Sequence, residues 1–280
     1  MDYLAYHFTV KPVQPGSEIL MALVADMGFE SFEQNESGFI AYVRKDSAHQ
    51  VSLNGLTFTD FTFLYEVKEI AATNWNDEWE KNFSPVLVDD LLCIRAPFHP
   101  PAEHVKHEIV IMPKMSFGTG HHQTTRLVCR LMFELDLANR RVLDMGCGTG
   151  ILAILAKKLG AGKVLGIDID AWCVENATEN CQTNDCADIT VLQGDTGSLP
   201  ADSIFDLVVA NINRNILREQ LPAYSQHLAP QGILIMSGFF TTDTAELSEA
   251  AGKLGLERGQ SVAEDEWAAL LFTKKQRKIL

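Results

Sequence analysis

One glycine-rich stretch, residues 142–150, constrains the fold of this chain more than any other feature. Apolar residues lead into Gly146, Gly148 and Gly150, and the residues that follow carry apolar side chains at helical spacing. This pattern predicts a buried strand, a tight turn and a helix. Because Gly146 and Gly148 have no side chains, the backbone there can closely approach a bound molecule. The sequence therefore predicts a nucleotide-like ligand at the turn.

The spacing around this turn indicates which ligand it takes. A dinucleotide fingerprint needs a glycine where this chain has Ile151. The observed order is instead Gly-x-Gly-x-Gly, with Asp144 before it and Asp168 at the end of a second apolar run, 22 positions after Gly146. A carboxylate at that point can accept hydrogen bonds from both ribose hydroxyls. The arrangement resembles the S-adenosylmethionine site of class I methyltransferases; a glycine turn and a solvated acid in another α/β protein remain the alternative.

Composition and charge set the broad class. With 280 residues, of which 46% are hydrophobic and 21% charged, the chain is long enough to bury a full core and to hold two domains. No apolar run approaches the ~18 residues of a membrane span. The first residues lack the basic start of a secretory signal, so we expect a cytoplasmic protein with no membrane partner. The net charge of −14 disfavours direct nucleic-acid binding and is compatible with a basic partner.

Neither the cysteines nor the histidines predict a metal site. The six cysteines include no Cys-x-x-Cys pair, which argues against a zinc site and against a disulfide framework. His99, His104 and His107 cluster beside two prolines, but no matching cysteine or carboxylate pattern accompanies them. A solvated loop is the preferred interpretation, and we expect no metal cofactor.

Residues 1–70 predict a small α+β domain. Four strand-like runs and one clear helix occur there, and residues 47–60 are interpreted as a short or irregular second helix. This β-α-β-β-α-β order is that of a ferredoxin-like sandwich. Residues 71–83 follow as a polar helical linker, in which an aromatic side chain recurs every four positions on one helix face. Packing of that face against a domain is favoured over direct substrate contact.

Residues 84–280 alternate strand-like and helix-like segments. This alternation predicts a doubly wound, mainly parallel α/β sheet that a late hairpin completes. Gly146 follows the first of these sheet strands, Asp168 ends the second, and Asn211 ends the fourth. Because ligands of such sheets bind at the carboxyl ends of the strands, we expect these three residues to meet at one edge. Asp195, after the third strand, is expected either near an adenine or in a plain turn.

Three stretches together resemble one family of enzymes. Residues 117–125, Phe-Gly-Thr-Gly-His-His-Gln-Thr-Thr, the glycine turn, and residues 209–212, Val-Ala-Asn-Ile, are similar to the bacterial ribosomal protein methyltransferases of the PrmA type. The resemblance covers essentially the whole chain, and the first stretch is its most discriminating part. It implies an enzyme that uses S-adenosyl-L-methionine to methylate large-subunit ribosomal protein eleven, at lysine ε-amines and at the N-terminal α-amine.

The resemblance also implies domain roles and site residues. Residues 1–70 would recognise the substrate, and residues 84–280 would form the class I methyltransferase domain. The cofactor-binding residues that it implies are Phe117, Thr125, Gly146, Gly148, Asp168 and Asn211. Asn211 is also the expected catalytic residue, because its side-chain carbonyl is suited to orient an amine.

One departure from related enzymes leaves part of the site unassigned. Many amino methyltransferases continue from the asparagine with Pro-Pro-Tyr, whereas Asn211 is followed here by Ile-Asn-Arg, so the sequence does not identify what packs against the target amine. His121 and His122 are expected to have structural or orienting roles, because adjacent histidines on a turn cannot both face one ligand. A methyltransferase acting on RNA or a small molecule, and a non-catalytic nucleotide-binding module, remain the alternatives.

Overall fold

A computed structural model describes the chain in five stretches, residues 3–25, 27–53, 55–70, 83–114 and 116–276. The chain divides into two compact units, Met1–Phe83 and Ser84–Leu280. The predicted aromatic linker, residues 71–83, lies outside the described residues except for Phe83. None of the helices in the described ranges has both the length and the apolar character that crossing a bilayer requires.

The N-terminal unit is built on a four-stranded antiparallel sheet. Its elements are, in chain order, β1 (Tyr3–Lys11), α1 (Val13–Ala25), β2 (Ser31–Asn35), β3 (Gly38–Arg44) and β4 (Thr62–Ile70). The strands lie in the order β2-β3-β1-β4, and β1 pairs antiparallel with both β3 and β4. Alternate residues of β1, among them Phe8 and Val10, are buried with Leu20 and Val24 of α1 in one core.

The segment between β3 and β4 contains a short 3₁₀ helix, Ala48–Gln50. The sequence predicts a short or irregular helix over residues 47–60. Leu53 and Phe61, which follow the 3₁₀ helix, are buried in the same core as the apolar side chains of β1. The segment therefore contributes scattered apolar contacts to the core, as expected of an irregular stretch.

Within the residues that the structure describes, the C-terminal unit contains a small sheet, a large sheet and five α-helices. The small sheet consists of β5 (Val86–Val88), β6 (Leu92–Arg95) and β7 (His107–Val110). The strands of the large sheet are, in chain order, β8 (Arg141–Met145), β9 (Lys163–Asp168), β10 (Thr190–Gln193), β11 (Phe205–Asn211), β12 (Leu228–Phe240), β13 (Leu256–Glu264) and β14 (Trp267–Lys274). The helices are α2 (Gln123–Phe133), α3 (Ile151–Lys158), α4 (Ala171–Thr183), α5 (Arg214–His227) and α6 (Thr244–Lys253).

The large sheet has the order β10-β9-β8-β11-β12-β14-β13. The first five strands in this order pair in parallel, and β14 is antiparallel to both of its neighbours. The chain moves outward from β8 through β9 and β10 and then returns to β11 on the other side of β8. Such a switch point opens a crevice at the carboxyl ends of the strands, where ligands of α/β sheets bind.

The two faces of the large sheet are both covered by helices. Val142 of β8 belongs to a core shared with α2 and α3, whereas its neighbour Leu143 belongs to a core shared with α5 and α6. Because successive side chains of a strand point to opposite faces, a strand buried on both faces is apolar almost throughout. The apolar runs in β8 and β11 thus follow from their central places in the sheet.

Helix α5 continues through Pro222, where the sequence predicts an interruption or a kink. A proline inside a helix lacks the backbone N–H that the preceding turn would bind. Leu217, Leu221 and Tyr224, which lie on both sides of the proline, are buried in one core.

Candidate active site

The glycine turn between β8 and α3 has a backbone that side-chain-bearing residues rarely adopt. Gly146, Gly148 and Gly150 have φ values of 70°, 54° and 78°. A Cβ on Gly146 would lie 2.2 Å from Cγ2 of Ile212, and one on Gly148 would lie 2.3 Å from the carbonyl oxygen of Phe117. The glycines therefore permit the turn and also allow the two neighbouring segments to pack directly against it.

The carboxylate of Asp168 holds the glycine turn from the end of β9. Its Oδ2 accepts a hydrogen bond from the backbone N–H of Gly148 at 2.8 Å, and its Oδ1 accepts one from Asp170 at 3.0 Å. The Asp168 residue is 8% exposed and lines the adjacent cavity. Because each carboxylate oxygen can accept more than one hydrogen bond, Asp168 keeps acceptor capacity for a ligand.

The loop before α2 crosses the glycine turn and is bonded to it. The backbone N–H of Thr149 donates to the carbonyl of Phe117 at 3.0 Å, and the Thr149 hydroxyl donates to the carbonyl of Gly118 at 2.7 Å. Gly120, two residues further, has a φ of 93°, and a Cβ there would lie 2.6 Å from Cδ1 of Ile94. Close packing on both sides of the loop thus explains the two glycines of its Phe-Gly-Thr-Gly sequence.

Two buried asparagines spaced four residues apart, Asn180 on α4 and Asn184 at its C-cap, join the end of β7 and the segment after it to the turn. Asn184 donates to the carbonyl of Val110 at 2.6 Å and accepts from its N–H at 2.9 Å. Asn180 accepts from the N–H of Met112 and donates to the carbonyl of Thr149, both at 2.9 Å. The sequence-based prediction of the site does not include these asparagines, although the sequence shows their regular spacing.

A cavity of about 510 Å³ opens at the carboxyl edge of the sheet, beside the switch point. Of the six residues that the resemblance assigns to cofactor binding, five line this cavity, namely Phe117, Gly146, Gly148, Asp168 and Asn211. Thr125 is fully buried and is absent from the lining, whereas its neighbour Thr124 contributes to it. The structure therefore brings five of the predicted residues together around one space.

Thr125 lies beside Asn211, which lines the cavity. The Nδ2 of Asn211 lies 3.5 Å from the hydroxyl oxygen of Thr125, at the long end of hydrogen-bond distances. The Oδ1 of Asn211 is buried and has no hydrogen-bond partner among the described residues. Since nearly all buried polar groups in proteins are paired, this acceptor is available to a donor on a ligand.

The end of the cavity near β9 and β10 is acidic. Asp170 and Asp195 line it together with Asp168, and Asp195 also accepts from the N–H of Gly197 at 2.8 Å in a 3₁₀ turn. The side chains of Asp168, Asp170 and Cys173 place possible metal ligands within 4.8 Å of one another. Burial raises the pKa of the Cys173 thiol.

Asp144 lies beneath the turn with a carboxyl group that is shifted toward its neutral form. The residue is 1% exposed, and its Oδ2 accepts from the N–H of Ala153 at 3.0 Å. Burial raises the pKa of Asp144 to about 7, and the charge of Asp168 contributes in the same direction. Oδ1 of Asp144 has no partner in the described part of the chain.

The opposite end of the cavity is aromatic. His122 caps the N-terminus of α2, and its ring lies 4.6 Å from that of Trp267, centroid to centroid. The ring of Trp267 in turn lies 4.4 Å from that of Phe240. Burial lowers the pKa of His122, which favours a neutral ring near pH 7. His121 is directed elsewhere, with its Nε2 3.0 Å from the carbonyl oxygen of Ser84.

The family of the chain follows from a comparison with known proteins. The sequence profile described as ribosomal protein L11 methyltransferase (PrmA) matches residues 21–275. The chain belongs to this family. Relatives named ribosomal protein L11 methyltransferase include one from Porphyromonas gingivalis, 45% identical with 98% of both chains covered. Another, from Chlorobaculum tepidum, is 36% identical with 92% of both chains covered. The resemblance stated from the sequence is confirmed.

Solved structures of the L11 methyltransferase family and of more distant enzymes support the fold. A crystal structure of ribosomal protein L11 methylase from Lactobacillus delbrueckii subsp. bulgaricus superposes with a TM-score of 0.64 at 29% identity, covering 69% of this chain and 100% of that chain. A methyltransferase from Pyrococcus furiosus gives a TM-score of 0.51 at 18% identity, covering 60% of this chain and 90% of that one, and shows the fold alone. The predicted class I methyltransferase sheet is confirmed.

Proposed function

We propose that this protein transfers methyl groups from S-adenosyl-L-methionine to amino groups of ribosomal protein L11. The acceptors are lysine ε-amines and the N-terminal α-amine. The main support is Oδ1 of Asn211, a buried acceptor on a residue that lines the cavity, for which the described part of the chain offers no hydrogen-bond partner. Because leaving such an acceptor unpaired costs about 1–3 kcal/mol, its burial favours a ligand that donates a hydrogen bond here, as an amine does.

The cofactor is S-adenosylmethionine, and the residues around the cavity fit it. It supplies a methyl group on a sulfonium sulfur, which is already activated for attack. Asp168 offers carboxylate acceptors suited to ribose hydroxyls, while Gly146 and Gly148 leave the turn free of side chains. We assign Phe117 to the wall of the site and Thr125 to the support of Asn211, which it reaches at 3.5 Å.

The residues around the cavity have three tasks in this transfer. The target amine must be neutral, and a free lysine, with a pKa of ~10.4, is mostly protonated near pH 7. Burial of the amine favours release of its proton to water, because a charged group is disfavoured in an apolar site. Asn211 can then accept an N–H of the neutral amine and orient its lone pair. Phe117 and Trp267 limit the access of water to the reacting nitrogen.

We assign substrate recognition to residues 1–70, as a ferredoxin-like domain joined through residues 71–83 to the methyltransferase domain of residues 84–280. The β2-β3-β1-β4 order, with α1 between β1 and β2, supports this assignment. Residues 3–70 carry nine acidic and four basic side chains, a balance that suits a basic partner. We place the activity in the cytoplasm, where ribosomal proteins are made.

The substrate class can be tested with labelled S-adenosylmethionine, separated ribosomal proteins and ribosomal RNA. We expect the label on L11. Label on RNA would instead support the RNA methyltransferase alternative, and cofactor binding without any transfer would support a non-catalytic module. Asn211→Ala should lower the transfer rate to L11 more than it lowers cofactor affinity. Asn215→Ala, an exposed position four residues along the chain, should behave as the wild type and serves as the matched control.

A further inference from the structure

The aromatic end of the cavity forms a continuous row of rings. Phe117 and His122 have ring centroids 5.3 Å apart, and His122 meets Trp267 edge to face at 4.6 Å and 72°. Trp267 is tilted 33° against Phe240 at 4.4 Å. Of these four rings, those of Phe117, His122 and Trp267 line the cavity directly. Trp267 therefore lies at the centre of the row, with a ring neighbour on each side.

The order of the sheet places this row far from Asp168. Asp168 ends β9 and Trp267 begins β14, and these strands are four positions apart in the sheet. At about 4.8 Å per strand, the two residues are separated by roughly 19 Å across the edge. Because β14 is antiparallel to its neighbours, its first residue lies at the same edge as the carboxyl ends of the parallel strands. Asn211, which ends β11, lies between Asp168 and Trp267.

We infer that Trp267 forms the wall against which the target amine packs, supplying from β14 the aromatic contact that the Ile-Asn-Arg sequence after Asn211 lacks. This inference rests on the proposed function. Asp168, which suits the ribose, lies on one side of Asn211. The amine that accepts the methyl group therefore has its place on the other side, where the aromatic rings lie. A ring face attracts an ammonium group and its methyl groups alike, without requiring an N–H.

This arrangement has a consequence for repeated transfer. In each step a nitrogen–carbon bond forms, the carbon–sulfur bond breaks with its electron pair staying on sulfur, and the positive charge moves to the nitrogen. The first two products release a proton to water before the next step, and each has fewer N–H groups than the amine before it. Contact through the N–H to Asn211 therefore weakens with each methyl group, whereas contact with the Trp267 ring remains. Trp267 should thus favour the later transfers.

Trp267 is held in place by a docked hairpin turn. Glu264, three residues earlier, accepts from Nε of Arg126 at 3.0 Å and from Nη1 of Arg130 at 2.7 Å, both on α2. The carbonyl of Glu266 accepts from the N–H of Thr241 at 2.8 Å, next to Phe240. The turn is thus fixed both to α2 and to the end of β12, so the position of the ring depends on Glu264 as well as on its own contacts.

The test measures the distribution of mono-, di- and trimethylated product on L11 by intact mass spectrometry. For Trp267→Leu we expect wild-type cofactor affinity and a ratio of third to first transfer rates that falls about three- to thirty-fold, the range of a cation–π contact. Trp267→Phe keeps a ring and should retain most of the wild-type ratio. Trp172→Leu, at the Asp168 end of the cavity, should change cofactor affinity and leave the ratio unaltered.

Several outcomes would overturn the inference. An unchanged product distribution in folded Trp267→Leu, loss of cofactor binding in that variant, or wild-type protein that adds a single methyl group would each do so. If Trp267→Leu does not fold, Glu264→Gln provides the test instead. This variant keeps the Trp267 ring but weakens the contacts that hold the hairpin turn on α2, so it should shift the ratio in the same direction. Failure of wild-type protein to methylate any amine would instead contradict the proposed function.

Discussion

Oδ2 of Asp168 lies 2.8 Å from the backbone nitrogen of Gly148, so the acid at the end of β9 is tied directly to the glycine turn after β8. The other carboxylate oxygen, Oδ1, accepts from Asp170. A side chain expected to contact a ribose therefore also fixes the turn around which the cavity is built. Cofactor affinity and the conformation of the turn should consequently change together.

Asp168→Asn should lower the affinity for S-adenosylmethionine at least about tenfold, since hydrogen bonds to a charged group contribute about 1.5–3 kcal/mol each. The amide keeps the size of the side chain but replaces one acceptor by a donor, which then faces a backbone N–H. Calorimetric titration of the folded variant measures the change. Asp188→Asn, which removes an exposed partner of Lys157 away from the cavity, is the control and should bind as the wild type does. Equal affinities of both variants would disprove the role of Asp168.

Gly148→Ala should reduce both stability and cofactor affinity. Its φ of 54° disfavours a side chain, and the added Cβ would lie 2.3 Å from a carbonyl oxygen. Gly255→Ala is a matched control, because its φ is 77° but no atom of the described residues beyond its chain neighbours lies within 4 Å of the added Cβ. The control should lose about 1–2 kcal/mol of stability from backbone strain alone and keep its affinity. Thermal unfolding and titration of both variants separate the two effects, and similar results for both would refute the packing explanation.

The buried carboxyl of Asp144 should make stability depend on pH. Its pKa is about 7 in the folded chain, whereas an unfolded Asp has a pKa of ~3.9, so the folded state binds the proton more tightly. The stability that this group contributes is complete below about pH 4 and is lost as the pH rises to about 7.

From pH 5 to pH 8, the free energy of unfolding of the wild type should fall by about 2–3 kcal/mol relative to that of Asp144→Asn. Urea unfolding at the two pH values gives this difference. Because the asparagine side chain does not titrate, the variant shows how stability depends on pH without the contribution of Asp144. Parallel pH profiles of the two proteins would show that Asp144 has an ordinary pKa.

A fragment that begins at Ser84 should bind S-adenosylmethionine as the full chain does but should fail on intact L11. Among the described residues, two apolar clusters consist only of residues from Val86 onward, so the fragment retains its own cores. Titration and transfer assays on the same preparation measure both properties. Full activity of the fragment toward L11 would place recognition outside residues 1–70.

The glycine turn and its flanking elements are predictable from the sequence because the information is local. An apolar run, three spaced glycines and a helical pattern specify strand, turn and helix without knowledge of the rest of the fold. Asp168 and Asn211 are predictable for a related reason, since both end apolar runs and parallel strands end at one edge. Which of Thr124 and Thr125 lines the cavity is harder to predict from the sequence. Adjacent helix residues point about 100° apart, and the packing of α2 decides which one faces the cavity.

The two buried asparagines and Trp267 depend on contacts that no local pattern contains. Asn180 and Asn184 resemble solvated helix residues in sequence, yet they satisfy the backbone of the last residue of β7 and of Met112 just after it. Trp267 is 56 residues from Asn211, and only the antiparallel insertion of β14 beside β12 brings it to the same edge. Both cases require the strand order, which the sequence does not specify by itself.

The central claim, that amino groups of L11 are the acceptors, is tested most directly by mapping methyl groups on L11 by peptide mass spectrometry after incubation with the protein and S-adenosylmethionine. Native L11 and L11 with acetylated amines should be compared in parallel. We predict methyl groups on lysine ε-amines and on the N-terminal α-amine of native L11, and none on the acetylated protein. Methylation of acetylated L11 at the native rate, or methyl groups on other side chains, would contradict this account.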